Sequence, residues 1–123
     1  MKLRDNLYTI VGKDIIEGKQ SFIIVLNPSC AIYAAHFPEM PITPGVCIIR
    51  IVEELLEEAL GYHLRLCAIK NAKFLTVLKP DGQKILVNYS VIKEEGEFTS
   101  SQVIITDLKN NVYARLSLQT IIA

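Results

Sequence analysis

Val46-Cys47-Ile48-Ile49-Arg50-Ile51-Val52 is apolar on nearly every side, and the glutamates Glu53, Glu54, Glu57 and Glu58 follow it directly. At helical spacing this reads as a helix over residues 47–60, buried in its first half and reaching water in its second. Gly61 stands where a left-handed C-cap would end it. One face of a flat sheet covers only one side of a helix, so a segment this apolar calls for a sheet that wraps it. A second subunit could cover the remainder. The four glutamates read as a solvated face, paired in part with Arg50.

Upstream, residues 7–16 and 21–26 are strand-like runs joined by Glu17-Gly18-Lys19-Gln20, which predicts an opening hairpin. Asn27-Pro28-Ser29 ends the second run, and residues 30–35 suggest one loose helical turn. Beyond the helix the chain turns to strands over residues 62–78, 84–93, 98–108 and 111–122, punctuated by Pro80-Asp81-Gly82, Glu94-Glu95-Gly96-Glu97 and Lys109-Asn110-Asn111. Short connectors between consecutive strands predict an antiparallel meander. One long helix between early and late strands, without β-α alternation, indicates an α+β fold over residues 1–123 as one domain.

Half of the 123 residues are hydrophobic, which excludes disorder, and the apolar runs are strand-length, short of the ~20 residues a membrane span needs. Thirteen basic and thirteen acidic residues balance, so no long-range field gathers nucleic acid or an anionic membrane. Lys2, Arg4 and Asp5 follow Met1 without the apolar core of a secretory signal, and a cytoplasmic protein is expected. Cys30, Cys47 and Cys67 are odd in number and widely spaced, suggesting neither a disulfide frame nor a metal site. Cys47 and Cys67 have apolar neighbours and read as buried free thiols.

The approach to the helix is stiff. Pro38, Pro41 and Pro44, three of the five prolines, restrict φ and bias their predecessors toward extended geometry. Thr43 suits the N-cap, Pro44 the first helical position, and Gly45 the second. A glycine in the first turn costs about 0.5–1 kcal/mol against alanine, usually offset where a ligand or backbone comes close. Its N–H would belong to the unpaired donors at the positive helix end, able to bind an oxygen that gains charge. The other reading of Gly45 is that it only lets the proline loop pack against the helix. His36, nine residues earlier, is either a half-buried loop histidine bonded to a carbonyl or a base kept neutral by an apolar setting. His63 reads as a surface or strand-edge residue.

His36, Phe37, Pro38, Pro41, Pro44, Gly45 and Val46 form His-Phe-Pro-x-x-Pro-x-x-Pro-Gly-Val, which resembles the signature of the β-hydroxyacyl-acyl carrier protein dehydratases, the hydroxymyristoyl type among them. Asn71-Ala72-Lys73-Phe74 and Lys79-Pro80-Asp81-Gly82-Gln83 are similar to that family's strand and turn, with Pro-Asp-Gly for the usual Pro-Gly-Asp. The matches cover roughly residues 20–90. The resemblance implies a hotdog fold, an antiparallel sheet wrapped around one central helix. It implies dehydration of 3-hydroxyacyl thioesters to trans-2-enoyl thioesters in fatty-acid or related lipid or polyene biosynthesis. The substrate would ride on the phosphopantetheine of an acyl carrier protein, with no metal or redox cofactor, and the enzyme would be a homodimer or an assembly of dimers. His36 would take the C2 proton, the Gly45 N–H would hold the thioester oxygen, and Phe37, Pro44 and Val46 would line the substrate.

In the family a glutamate fourteen residues after the histidine, supplied by the partner subunit, assists departure of the hydroxyl. Here that position is Arg50. A guanidinium neither gives nor takes a proton at neutral pH, so Arg50 would either anchor substrate or leave the site dead, and in an active enzyme Glu54, one turn further along the same face, or water would supply the acid. The alternative is a non-catalytic hotdog subunit that binds acyl carrier protein or pairs with a catalytic homologue. A hotdog thioesterase would need a carboxylate poised to activate water, and the proline loop fits that poorly.

Overall fold

The computed structural model describes residues 2–16, 19–36 and 39–123, the side chains of Ile15, Ile16 and Ile92 excepted. The expected turn at Glu17-Gly18 and the expected lining residue Phe37 fall outside the described residues. The elements are β1 (Tyr8–Ile16), β2 (Lys19–Leu26), α1 (Ala31–Ala35), α2 (Gly45–Leu60), β3 (Leu64–Phe74), β4 (Ile85–Glu95), β5 (Phe98–Thr106) and β6 (Val112–Ile122). All six strands join one sheet in the order β1-β2-β4-β5-β6-β3, every neighbouring pair antiparallel.

Side-chain alternation makes one face of this sheet the core. Thr99, Ser101, Val103 and Ile105 of β5 and Ala114, Leu116, Leu118 and Thr120 of β6 point inward at period two. They meet the broad face of α2 formed by Cys47, Ile48, Ile51, Val52, Leu55 and Leu56. Phe22 of β2 and Tyr89 of β4 stack edge to face at 6.0 Å, and the Tyr89 hydroxyl donates to the Val52 carbonyl, fastening sheet to helix. Gly61 ends α2 with φ 81°, its N–H bonded to the Glu57 carbonyl at 2.9 Å. Only glycine adopts that conformation without a Cβ penalty. The helix start is less enclosed than its composition suggests: Val46 is 75% exposed and Ile49 half-buried, because the sheet covers one broad side of it.

The expected meander holds for β4, β5 and β6 but not for β3. That strand leaves the helix and pairs with β6 at the far edge, while β2 takes the other side of β4. The ten residues between β3 and β4 exceed what a hairpin needs. They are pinned instead to the helix start, where the Thr43 N–H donates to the Leu78 carbonyl at 2.8 Å and Leu78 and Pro80 are buried. This crossing also stops β3 at Phe74, short of the expected residue 78. Register shifts at Leu66/Ala68 and Ile69/Asn71 interrupt β3, and Cys67, expected to be buried, lies exposed at the first of them.

Tyr8, Tyr33 and Tyr89 lie in the core, and burial pushes each phenol above its ordinary value near 10. Above that pH the unfolded chain releases protons that the folded chain keeps, so stability falls as pH rises. The urea midpoint is expected to decline from about pH 10 upward. A midpoint that stayed constant to pH 11 would contradict this.

Candidate active site

Pro44, with φ −61° and ψ 146°, is the N-cap of α2, and Gly45 is its first helical residue. The expected cap, Thr43, is displaced by one position because its side chain turns into the core. Its hydroxyl and the Tyr33 hydroxyl share a buried 2.7 Å hydrogen bond, and among the described residues no side chain caps the helix. The first intrahelical bonds run from the Cys47 and Ile48 amides to the Pro44 carbonyl at 3.0 and 3.1 Å. The Gly45 N–H precedes these amides and is one of the helix-start donors with no acceptor within the helix. A Cβ at Gly45 would stand 3.3 Å from Cζ of Phe74, tighter than ordinary contact. A larger residue would make the Phe74 ring give way by a few tenths of an ångström, so the close approach here is that of an aromatic side chain. Gly45, Thr43, Ile42, Ile48 and Phe74, with residues 75–78, wall a cavity of about 300 Å³.

His36 follows α1 directly, its N–H bonded to the Ile32 carbonyl at 3.0 Å. Its side chain is exposed, so the apolar setting expected for it is not supplied by this chain alone. Val46 also points outward, and Pro44 is half-buried. Burial pushes the Cys47 thiol up, away from thiolate character.

Arg50 and Glu54 belong to different surroundings. Arg50 pairs with Glu53 and, through Nε at 3.2 Å, with Glu54. Glu54 Oε2 also accepts from the Leu3 amide at 2.7 Å, while Oε1 accepts from the Arg4 amide and the Tyr8 hydroxyl, each at 2.9 Å. A carboxylate has about four acceptor positions, and four donors occupy them here. Glu54 lies nine residues beyond Gly45, which at about 1.5 Å per residue is about 13 Å along the axis. Arg50 and Glu54 line a second cavity, about 680 Å³, which shares no residue with the first.

The acidic half of α2 is accordingly only in part the solvated face its composition suggests: Glu58 is exposed and the expected pairing with Arg50 and a nearby lysine is present, but the other glutamates are turned inward. Glu54 is 8% exposed. Glu57 accepts the Leu64 amide at 2.9 Å and lies 3.3 Å from His63, which is exposed as expected. Glu58 pairs with Arg4 at 3.0 Å and Lys13 at 3.6 Å. These carboxylates bind the segment before β1 and the start of β3.

Within one chain the structure brings Thr43 and Gly45 to one cavity and Arg50 and Glu54 to another. Two participants escape sequence reasoning, Tyr8 and Tyr33. Their signal is weak, since a tyrosine in an apolar run marks a hydroxyl in need of a partner without saying which.

A family model described as ApeI-like, the ApeI dehydratase, matches residues 14–111. Among solved structures, the dehydratase heterocomplex ApeI:P from Xenorhabdus doucetiae is similar with a TM-score of 0.73 at 18% identity, over 92% of this chain and 96% of that one. A putative thioesterase from Lactococcus lactis gives 0.68 at 16% identity, over 97% and 94%. Thioesterase superfamily member 2 from Mus musculus gives 0.69 at 12%, over 95% and 83%. At these identities the structural likenesses establish the fold, which is the hotdog fold. No curated protein matches the sequence.

Proposed function

The chain belongs to the ApeI-like dehydratase family, and from that premise we propose that it converts a 3-hydroxyacyl thioester, carried on acyl carrier protein, to the trans-2-enoyl thioester. The observation that carries this reading is the helix start, where Gly45 walls an apolar cavity and its N–H has no acceptor within the helix. A thioester oxygen at that N–H accepts a hydrogen bond that strengthens as negative charge develops. His36 removes the C2 proton, the C–H electron pair becomes the C2–C3 double bond, and the C3 hydroxyl leaves with a proton as water.

On the resemblance, the helix position fourteen residues after His36 reaches the site from the second subunit. His36 and Gly45 would then face Arg50 of the partner subunit. This accounts for the separation of the two cavities within a single chain. The proton His36 has taken from C2 is the one the departing hydroxyl leaves with, passed on through a single bound water, because the oxygens of Glu54 are already engaged. Sequestration between two chains would also supply the dry surroundings that exposed His36 lacks.

Two substitutions separate the donor from the space around it. Gly45→Pro removes the N–H at a first helical position, where proline is tolerated, and the extended Pro44 already has the geometry a residue before proline adopts. Gly45→Ala keeps the N–H and adds only the Cβ against Phe74. Enoyl formation, followed by mass, is expected to fall about 10²–10³-fold in the proline variant and much less in the alanine variant. Equal losses would assign the effect to crowding.

A second reading is favoured by Arg50 and its pairing with Glu53 and Glu54. The chain could be one subunit of a heterodimer, as the name of the ApeI:P heterocomplex records for that assembly. It predicts no turnover by the isolated protein and turnover on addition of a homologous subunit.

A further inference from the structure

Tyr33 and Thr43 flank the proline loop, one on each arm of the proposed site. Tyr33 precedes His36 by three residues, and Thr43 precedes Gly45 by two. Each is 3% exposed, and their hydroxyls share the 2.7 Å hydrogen bond. Both arms are otherwise fixed by backbone bonds. The His36 amide is held by the Ile32 carbonyl, and the Thr43 amide donates to the Leu78 carbonyl in the cavity wall. The hydroxyl pair is a direct side-chain hydrogen bond between the arm carrying the histidine and the arm carrying the helix start.

Resting on the dehydratase reading above, we propose that Tyr33 and Thr43 are positioning residues that set the placement of His36 relative to the Gly45 N–H. Proton abstraction and oxyanion binding act on adjacent atoms of one substrate. Their separation must therefore be held within a fraction of an ångström, and a displacement near 1 Å can lower the rate about 10²-fold. The prolines stiffen the intervening chain but cannot fix its two ends against each other. A direct bond between the ends does so.

The structural and positioning roles part in a double variant. Tyr33→Phe or Thr43→Val alone leaves a buried hydroxyl without its partner and lowers stability, whereas the combined variant removes both polar atoms at nearly the same shape and recovers most of it. If the bond positions His36, the double variant melts near the wild type yet has kcat about 10-fold lower, with KM little changed. Thr43→Ser, which keeps the hydroxyl, restores kcat to within about twofold. Full kcat in the double variant, or Thr43→Ser as impaired as Thr43→Val, overturns the proposal.

A second readout does not depend on turnover. The chain has two histidines, and His63, 93% exposed beyond the other end of α2, serves as an internal reference. In the double variant the imidazole proton–carbon resonances of His36 are expected to shift while those of His63 stay. Unmoved His36 resonances overturn the positioning role. A wild-type protein that forms no enoyl product, alone or with a homologous subunit, refutes the dehydratase reading, and the imidazole spectra then decide the Tyr33–Thr43 pair by themselves.

Discussion

Replacing His36 by alanine is expected to lower enoyl formation by about 10³-fold while leaving the melting temperature where it was. The two halves of that expectation have separate grounds. A positioned base contributes about 10²–10⁴-fold to a proton abstraction, and the described residues lining the cavity at Gly45 include no carboxylate, imidazole or thiol to take its place. Stability is unaffected because the His36 side chain is exposed and only its backbone N–H is bonded, to the Ile32 carbonyl at 3.0 Å. The assay uses one 3-hydroxyacyl carrier-protein thioester with both proteins side by side. Equal turnover by the variant would remove His36 from the chemistry and with it the proposed mechanism.

Replacing Glu54 produces the opposite pattern. Glu54→Ala is expected to destabilise the fold by about 3 kcal/mol or more, since it strips acceptors from buried donors and from a guanidinium. For a chain of this size that is a fall in melting temperature of roughly 10 °C. The donors concerned are the amides of Leu3 and Arg4, the Tyr8 hydroxyl and Arg50. Leu3, Leu7 and Tyr8 are 1%, 0% and 0% exposed, so release of this carboxylate frees a segment that helps to seal the core. Glu54→Gln would present an amide NH₂ to donors and is expected to lose about 2 kcal/mol. Tyr8→Phe, which removes one of the four bonds, loses about 1–2 kcal/mol. Turnover per folded molecule should survive in all three. A Glu54→Gln protein that melts normally but forms no enoyl would instead make this carboxylate the acid.

These contrasts show where reading along the chain succeeds. Val46 to Val52 demanded cover because apolar area must leave water, and the sheet supplies it along the face of Cys47, Ile48, Ile51 and Val52 while Val46 stays exposed. Gly61 announced its own conformation, since a helix end in the left-handed region favours the residue without a Cβ. The proline signature from His36 to Val46 marked the family, and the family model covers it within residues 14–111. In each case the physical cause lies within a few residues of the effect.

What needed tertiary structure is whatever depends on partners distant in sequence. Thr43 is a good cap by local rules, yet a buried tyrosine ten residues away takes its hydroxyl and moves the cap to Pro44. Four adjacent glutamates look like a wet face, but the segment before β1 folds back over fifty residues to bury Glu54. The pairing of β3 with β6 follows from a crossing anchored by Leu78 at the helix start, which no connector length reveals. By itself the sequence determined the wrapped helix, its C-terminal end and the dehydratase family. Only the tertiary structure decided the strand order, the cap and the partners of Glu54, because a hydrogen bond or a strand pairing goes to whichever group the folded chain brings nearest.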